Sequence, residues 1–417
     1  MGNKEWTPVV LGADILGYSY VRELHQYYGK KSFVLSGGRS HYVERSSFTD
    51  YETVDRIDEE EPLMKWLRAN RGRFGSASPI IFGGTGDWRI RTLSKNKEEL
   101  TALGYTIPNI DFDLLDSITQ KDIFYGVCAR LGVPFPRTLV YGFKGYTIKE
   151  EFDGLEMVKS REQLKGLEYP LIAKPSNSAD WKFTGIKDQH KIYTIQNYEE
   201  LIGVIEGLEA SPYSHALLIQ EMLNTTDESL HSLTTFSDKD GNMLLGVAAN
   251  VILQSHTPTG IGNPLVIFGQ GKNQHLLEYA AKILKDQKYE GFANFDVMDG
   301  KDGKPRFLEV NTRPGRNTYY FSLAGYSFVK TQIDYYIDND TALSSLTEKE
   351  RRMDNTFLFS VVSRDTALKW ASGENLAAIQ EFLKTGTLGN PLDYKADNFI
   401  QKIFAKRYME QQDRING

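Results

Sequence analysis

The chain has 417 residues, 40% hydrophobic and 25% charged, values close to those of soluble globular proteins, so neither a disordered nor a fibrous chain is expected. Its 49 basic and 55 acidic side chains give a net charge of −6, and no basic run or basic-aromatic interleaving occurs, which argues against a nucleic-acid partner. No stretch approaches the ~20 apolar residues that span a bilayer, and MGNKEWTPVV lacks a basic segment followed by an apolar run, so a cytoplasmic protein without an integral membrane segment is expected.

Two to four packed units are expected at this length. The segment TPVVLGADILGYSYVRELHQYYG begins as an apolar strand, passes Gly12 and Gly17, and continues with helical spacing at Ile15, Tyr18, Val21 and Leu24. A second apolar strand, SPIIFGGTGDW, leads into a helix around Ile90 to Leu100, so residues 1–115 read as an open α/β domain. Gly12 and Gly17 do not form G-x-G-x-x-G, so a tight strand-to-helix turn is preferred to nicotinamide binding.

Between Asp116 and Thr138 the spacing predicts a helix capped by Ser117, with Ile123, Val127 and Leu131 on one face and a stop at Gly132, Pro134 and Pro136. Cys128 is the sole cysteine; no intrachain disulfide is available, and its apolar neighbours mark it as a buried hydrophobe. Strands follow at YPLIAKP, KIYTI and ALLIQEML, with the helix NYEELIGVIEGL between the last two, a small α+β subdomain. Two hairpins come next, one turning at Asp240-Gly241 and one within GFANFDVMDGKDGKPRFLEVN. Helical text dominates after about residue 321, and the tail KADNFIQKIFAKRYMEQQDRING reads as a partly packed helix with a frayed end.

The second hairpin carries the metal argument. If Asp302-Gly303 is its two-residue turn, Lys301 pairs with Lys304, Asp296 lies opposite Glu309, and Asn294 lies opposite Asn311, all on one face. Opposed carboxylates repel and call for a cation or a shared proton, and Mg²⁺ takes such oxygen donors, so Asp296, Glu309 and Asn311 are candidate ligands. A solvated hairpin face, or a turn at Asp299-Gly300, is the alternative. Arg313, in NTRPG, offers a planar charged fork for phosphate or carboxylate, with a surface salt bridge as its alternative.

Lys174 closes an apolar strand, an unusual place for a charge, from which an amine can reach phosphate oxygens. Lys121, near a helix start, is by itself no more than a solvated lysine. The strand end Gln220-Glu221-Met222-Leu223 presents backbone groups suited to an adenine edge, or is an ordinary strand leaving the core.

Taken in order, Lys121, YPLIAKPS, LLIQEML, NFDVM and FLEVNTRPG resemble the ATP-grasp superfamily over roughly residues 1–325. The resemblance implies α/β and α+β architecture: an ATP-grasp fold preceded by a Rossmann-like N-terminal domain. The expected divisions are 1–115 for that domain, 116–219 for the first part of the grasp with its lid subdomain, 220–325 for the catalytic antiparallel sheet, and 326–417 for a mainly helical region.

Carried over by position, the family pattern implies that Lys121 and Lys174 contact ATP phosphates. Gln220, Glu221 and Leu223 form the adenine hinge, and Asp227 or Glu228 takes the ribose. Asp296, Glu309 and Asn311 look like ligands of Mg²⁺, with Mn²⁺ as a substitute, and Arg313 holds the transferred phosphate. The chain departs from the family after Lys174, where PSNSADWKFTG replaces a glycine-rich loop; Ser176 and Ser178 are the candidate donors there, and Gly185 comes late.

Within the superfamily, VVLGADILGYSYVRELH, FGGTGDW and FLEVNTRPGRNTYY are similar to bacterial D-aspartate ligases and related carboxylate-amine ligases. That implies ATP-driven joining of D-aspartate to the lysine side chain of a peptidoglycan precursor. A ligase for another amino acid or peptide pair, or an inactive nucleotide-binding protein, is the alternative; His256 is read as structural.

Overall fold

In the computed structural model the described residues are 5–177, 181, 190–257, 260 and 262–416. They divide into two units, Met1–Leu115 with Leu230–Asn294 and Asn311–Gly417, and Asp116–Ser229 with Phe295–Val310.

The first unit opens with β1 (Trp6–Leu11), β2 (Ser32–Ser36), β3 (Thr49–Thr53) and β4 (Ser78–Phe82). These form a parallel sheet in the order β3-β2-β1-β4. Near-continuous apolar text in β1 and β4 suits strands buried on both faces. Asp14 caps the helix Ile15–Tyr28 by accepting a hydrogen bond from the Gly17 amide at 3.0 Å. A Cβ on Gly17 would lie 2.4 Å from the Gly12 carbonyl oxygen, so glycine is what lets this helix start so close to β1. The segment expected as one helix from Ile90 to Leu100 is two, Asp87–Lys95 and Lys97–Ala102, divided at Asn96.

The second unit holds β5 (Thr138–Gly142), β6 (Leu155–Met157), β7 (Leu171–Pro175), β8 (Tyr193–Ile195) and β9 (Ala216–Glu221), ordered β6-β5-β9-β7-β8. Its core gathers Leu139, Leu164, Trp181, Ile205 and Ile219 under the helix Tyr198–Glu209, which Asn197 caps. The helix Lys121–Leu131 departs from expectation at both its start and its face. Ser117 lies in the preceding helix and Gln120 occupies the N-cap without a side-chain bond. Ile123 is exposed, while Phe124, Tyr125, Val127 and Cys128 are buried. The larger aromatic surfaces have taken the inward face from the aliphatic one.

A larger sheet runs β14-β13-β10-β11-β12-β15-β16. Its strands are β10 (Leu230–Ser237), β11 (Met243–Gln254), β12 (Pro264–Gly269), β13 (Gly291–Asp299), β14 (Pro305–Asn311), β15 (Phe357–Ser360) and β16 (Leu388–Gly389). The last two are short strands inside the region read as helical. The final helix, Phe399–Asn416, does not fray: Asn416 is buried, its carbonyl accepts from Trp370 Nε1 at 2.7 Å, and its side chain accepts from the His256 amide at 3.0 Å.

Both hairpins turn one residue wider than a two-residue loop. In the first, the Gly241 amide donates to the Asp238 carbonyl at 2.9 Å and the Asp238 amide to Asn242 at 3.0 Å. In the second, the Gly303 amide donates to Gly300 at 2.9 Å and the Gly300 amide to Lys304 at 2.8 Å. Each is a three-residue Lys-Asp-Gly loop with only its glycine left-handed, at φ 74° and 70°. A two-residue loop of the predicted type needs positive φ at both central residues, and the aspartates do not adopt it. Lys301 therefore does not pair with Lys304, and the opposition of Asp296 and Glu309 no longer follows from the turn alone.

Candidate active site

Four of the expected residues of the second unit lie on its sheet and the flanking helix. Lys121 is the first residue of its helix, and its amide donates to the Ser176 carbonyl at 3.1 Å, anchoring that helix start to the segment after β7. Its ammonium lies 2.8 Å from Glu309 Oε2, with the lysine side chain 10% and the glutamate 29% exposed. Lys174, near the end of β7, is buried and donates to Tyr125 Oη at 3.1 Å. Ser176 is fully buried, its hydroxyl accepting from the Ala216 amide at 3.3 Å.

The Lys121 ammonium, against the effect of burial and with Lys191 and Lys174 adding to it, holds the Glu309 carboxyl well below the usual carboxylate range. Burial, reinforced by the Lys121 charge, pushes the Lys174 amine down to about 7. Lys121 thus pairs directly with Glu309 while Lys174 is held buried, amines suited to contact an anionic ligand.

At the end of β9, Gln220 pairs with Thr138 on one side and Ile172 on the other, so its backbone lies inside the ladder. Its side chain donates to Thr138 Oγ1 at 2.7 Å. Glu221 is exposed and accepts from the Arg137 amide at 2.9 Å, while Leu223 is buried. Asp227 and Glu228 share one 3₁₀ turn and are both half-buried, so neither stands out. Ser178 and Gly185 lie outside the described residues. Asp296 is half-buried in β13.

In the first unit, the Asn311 side chain donates to the Asn294 carbonyl at 3.5 Å, so these two residues are neighbours across the hairpin. Arg313 Nε donates to Asp87 Oδ1 at 2.8 Å with its side chain 14% exposed, so the salt bridge weighed as its alternative role is present. Among the described residues no three acidic, histidine or cysteine side chains gather as a metal cluster. Carboxylate and amide oxygens of the kind that Asp296, Glu309 and Asn311 carry are donors that Mg²⁺ takes.

Several participants were missed in the sequence. Tyr125, four residues after Lys121 on the same helix, carries a polar tip on a buried face and touches Lys174. Asp87, the first residue of its helix, meets Arg313. Lys191 had no local signal, because its effect on Glu309 arises from tertiary proximity.

No protein-family model matches the chain. It is 24% identical to a D-aspartate ligase of Enterococcus faecium over 412 residues, covering 98% of this chain and 94% of the relative. It is also 24% identical to a D-alanine–D-alanine ligase of Glaesserella parasuis, covering 60% of this chain and 93% of that one. Among solved structures it is similar to a biotin carboxylase–β,γ-ATP complex from Campylobacter jejuni, with TM-score 0.57 and 14% identity over 84% of this chain and 74% of that one. An L-amino acid ligase from Bacillus licheniformis gives TM-score 0.52 and 14% identity over 85% and 78%. The chain has the ATP-grasp fold, and its curated relatives are D-aspartate and D-alanine–D-alanine ligases.

Proposed function

We propose that the chain is an ATP- and Mg²⁺-dependent, ADP-forming carboxylate-amine ligase that joins D-aspartate to the lysine side chain of a peptidoglycan precursor. The observation that carries this reading is the 2.8 Å contact of Lys121 with Glu309, together with a second lysine, Lys174, buried against Tyr125 of the same helix as Lys121. Phosphoryl transfer spreads negative charge over several oxygens, and fixed cations stabilise it without a proton-transfer residue.

In this reading a carboxylate oxygen of the acyl donor attacks the γ-phosphorus of ATP and ADP departs. The acceptor nitrogen then attacks the acyl carbon, loses a proton, and phosphate leaves. Lys121 and Lys174 hold phosphate oxygens. Gln220 and Leu223 receive adenine through backbone groups, and Glu221 shares that hinge. Asp227 or Glu228 takes the ribose, and Ser176 supports the phosphate loop. Asp296, Glu309 and Asn311 would hold Mg²⁺, which when bound would neutralise charge on the phosphates. Arg313 leaves Asp87 to grip the transferred phosphoryl group. The D-aspartate ligase relative, matched over nearly its whole length, supports the choice of acyl donor.

ADP release with ATP, Mg²⁺ and D- or L-aspartate, with and without a lysine-containing cell-wall precursor, tests the reading. Release that needs D-aspartate and precursor and is lost in Asp296→Ala and Glu309→Ala supports it. Metal-dependent release with another acid, such as the D-alanine used by the second relative, keeps the chemistry and replaces the substrate.

A further inference from the structure

The Lys121–Glu309 contact joins a phosphate-binding cation to a metal ligand, and this inference rests on the ligase reading above. Lys121 Nζ sits 2.8 Å from Glu309 Oε2, a direct contact with little exposure of the lysine. A bare divalent cation approaching Glu309 meets an ammonium already in place. The Lys121 backbone is held by the hydrogen bond its amide donates to the Ser176 carbonyl, so any change must come from its flexible four-carbon stem.

We propose that Lys121 is a specificity-determining residue that stands in for the metal at Glu309 and makes metal binding conditional on nucleotide. A triphosphate offers Lys121 a second acceptor. Lys121 then releases Glu309 as the metal-nucleotide complex enters. The site in this way selects the metal-bound nucleotide over the free ion, with no further protein group required.

The test is titration of the full chain with Mn²⁺, read by electron paramagnetic resonance, with and without a non-hydrolysable ATP analogue. The native chain is expected to bind bare Mn²⁺ at least about tenfold more weakly than in the presence of the analogue. Lys121→Met is expected to bind bare Mn²⁺ at least about tenfold more tightly than the native chain, and Lys121→Arg, which keeps the charge, to stay at the native level. Glu309→Gln lowers binding in every arm.

Equal binding of bare Mn²⁺ by Lys121→Met and the native chain, with the analogue-dependent site intact, overturns the exchange and leaves the ligase reading standing. If Lys121→Met does not fold, Lys121→Gln takes its place as the neutral variant, and bare Mn²⁺ binding equal to that of the native chain overturns the exchange. Absence of analogue-dependent Mn²⁺ binding in the native chain overturns the ligase reading and the exchange together.

Discussion

Lys174 ends an apolar strand with its amine buried, and burial together with Lys121 brings it down to about 7. In the proposed reading phosphate oxygens beside it would restore the charged form, so nucleotide binding above that pH would draw a proton from solvent. Calorimetry at about pH 8 in buffers of different ionisation enthalpy is expected to show uptake approaching one proton per ATP, absent in Lys174→Met, with affinity falling as pH rises. Glu23 offers a parallel case away from the site. Its buried carboxyl accepts from Ser327 Oγ at 2.5 Å, yet burial raises it from 4.5 to about 7. The folded state therefore holds a proton that the unfolded state releases, and the associated stability is present below about 4.5 and lost as pH rises through about 7. Glu23→Gln is expected to flatten this dependence and to be more stable than the native chain at about pH 8, by on the order of 2–3 kcal/mol in denaturant unfolding.

The two Lys-Asp-Gly hairpins share a turn but differ in surroundings. A Cβ on Gly303 meets nothing within 4 Å, whereas one on Gly241 would lie 2.2 Å from the Leu284 carbonyl oxygen. Gly303→Ala is thus expected to lose only the left-handed conformational preference, about 1 kcal/mol, while Gly241→Ala loses more, on the order of 3 kcal/mol, because backbone must also shift. Comparable losses in the two variants would contradict this account of the turns. These loops also mark how far local text could be read. The dipeptide Asp-Gly located both turns, but the preceding lysine belonged to the loop, and one residue of loop length decides which side chains face each other. In the helix Lys121–Leu131, i, i+4 aliphatic spacing chose Ile123, whereas Phe124 and Tyr125 face inward. Strand text was more dependable: YPLIAKP, KIYTI and ALLIQEML each contain a strand of the five-stranded sheet, since β-branched and aliphatic runs bounded by Pro and polar residues have few other uses.

Across the molecule, the ordered succession of a helix-start lysine, a strand-end lysine, a Q-E-x-L strand end and an acidic hairpin was enough to point to the ATP-grasp fold. What lay beyond the sequence was the state of the charges. Lys121 and Glu309 stand 188 positions apart and meet at 2.8 Å, and Arg313 meets Asp87 across 226 positions. Neither pairing leaves a local trace, because each is made by tertiary packing. The chemistry proposed for these groups is transfer of a carboxylate oxygen onto phosphorus. Its most direct test is turnover with D-aspartate labelled with ¹⁸O in its carboxylates, ATP, Mg²⁺ and a lysine-containing cell-wall precursor, followed by mass spectrometry of the released phosphate. The account predicts one labelled oxygen in each phosphate, alongside ADP and an amide product. Amide formation with unlabelled phosphate, or with AMP and pyrophosphate, would contradict it.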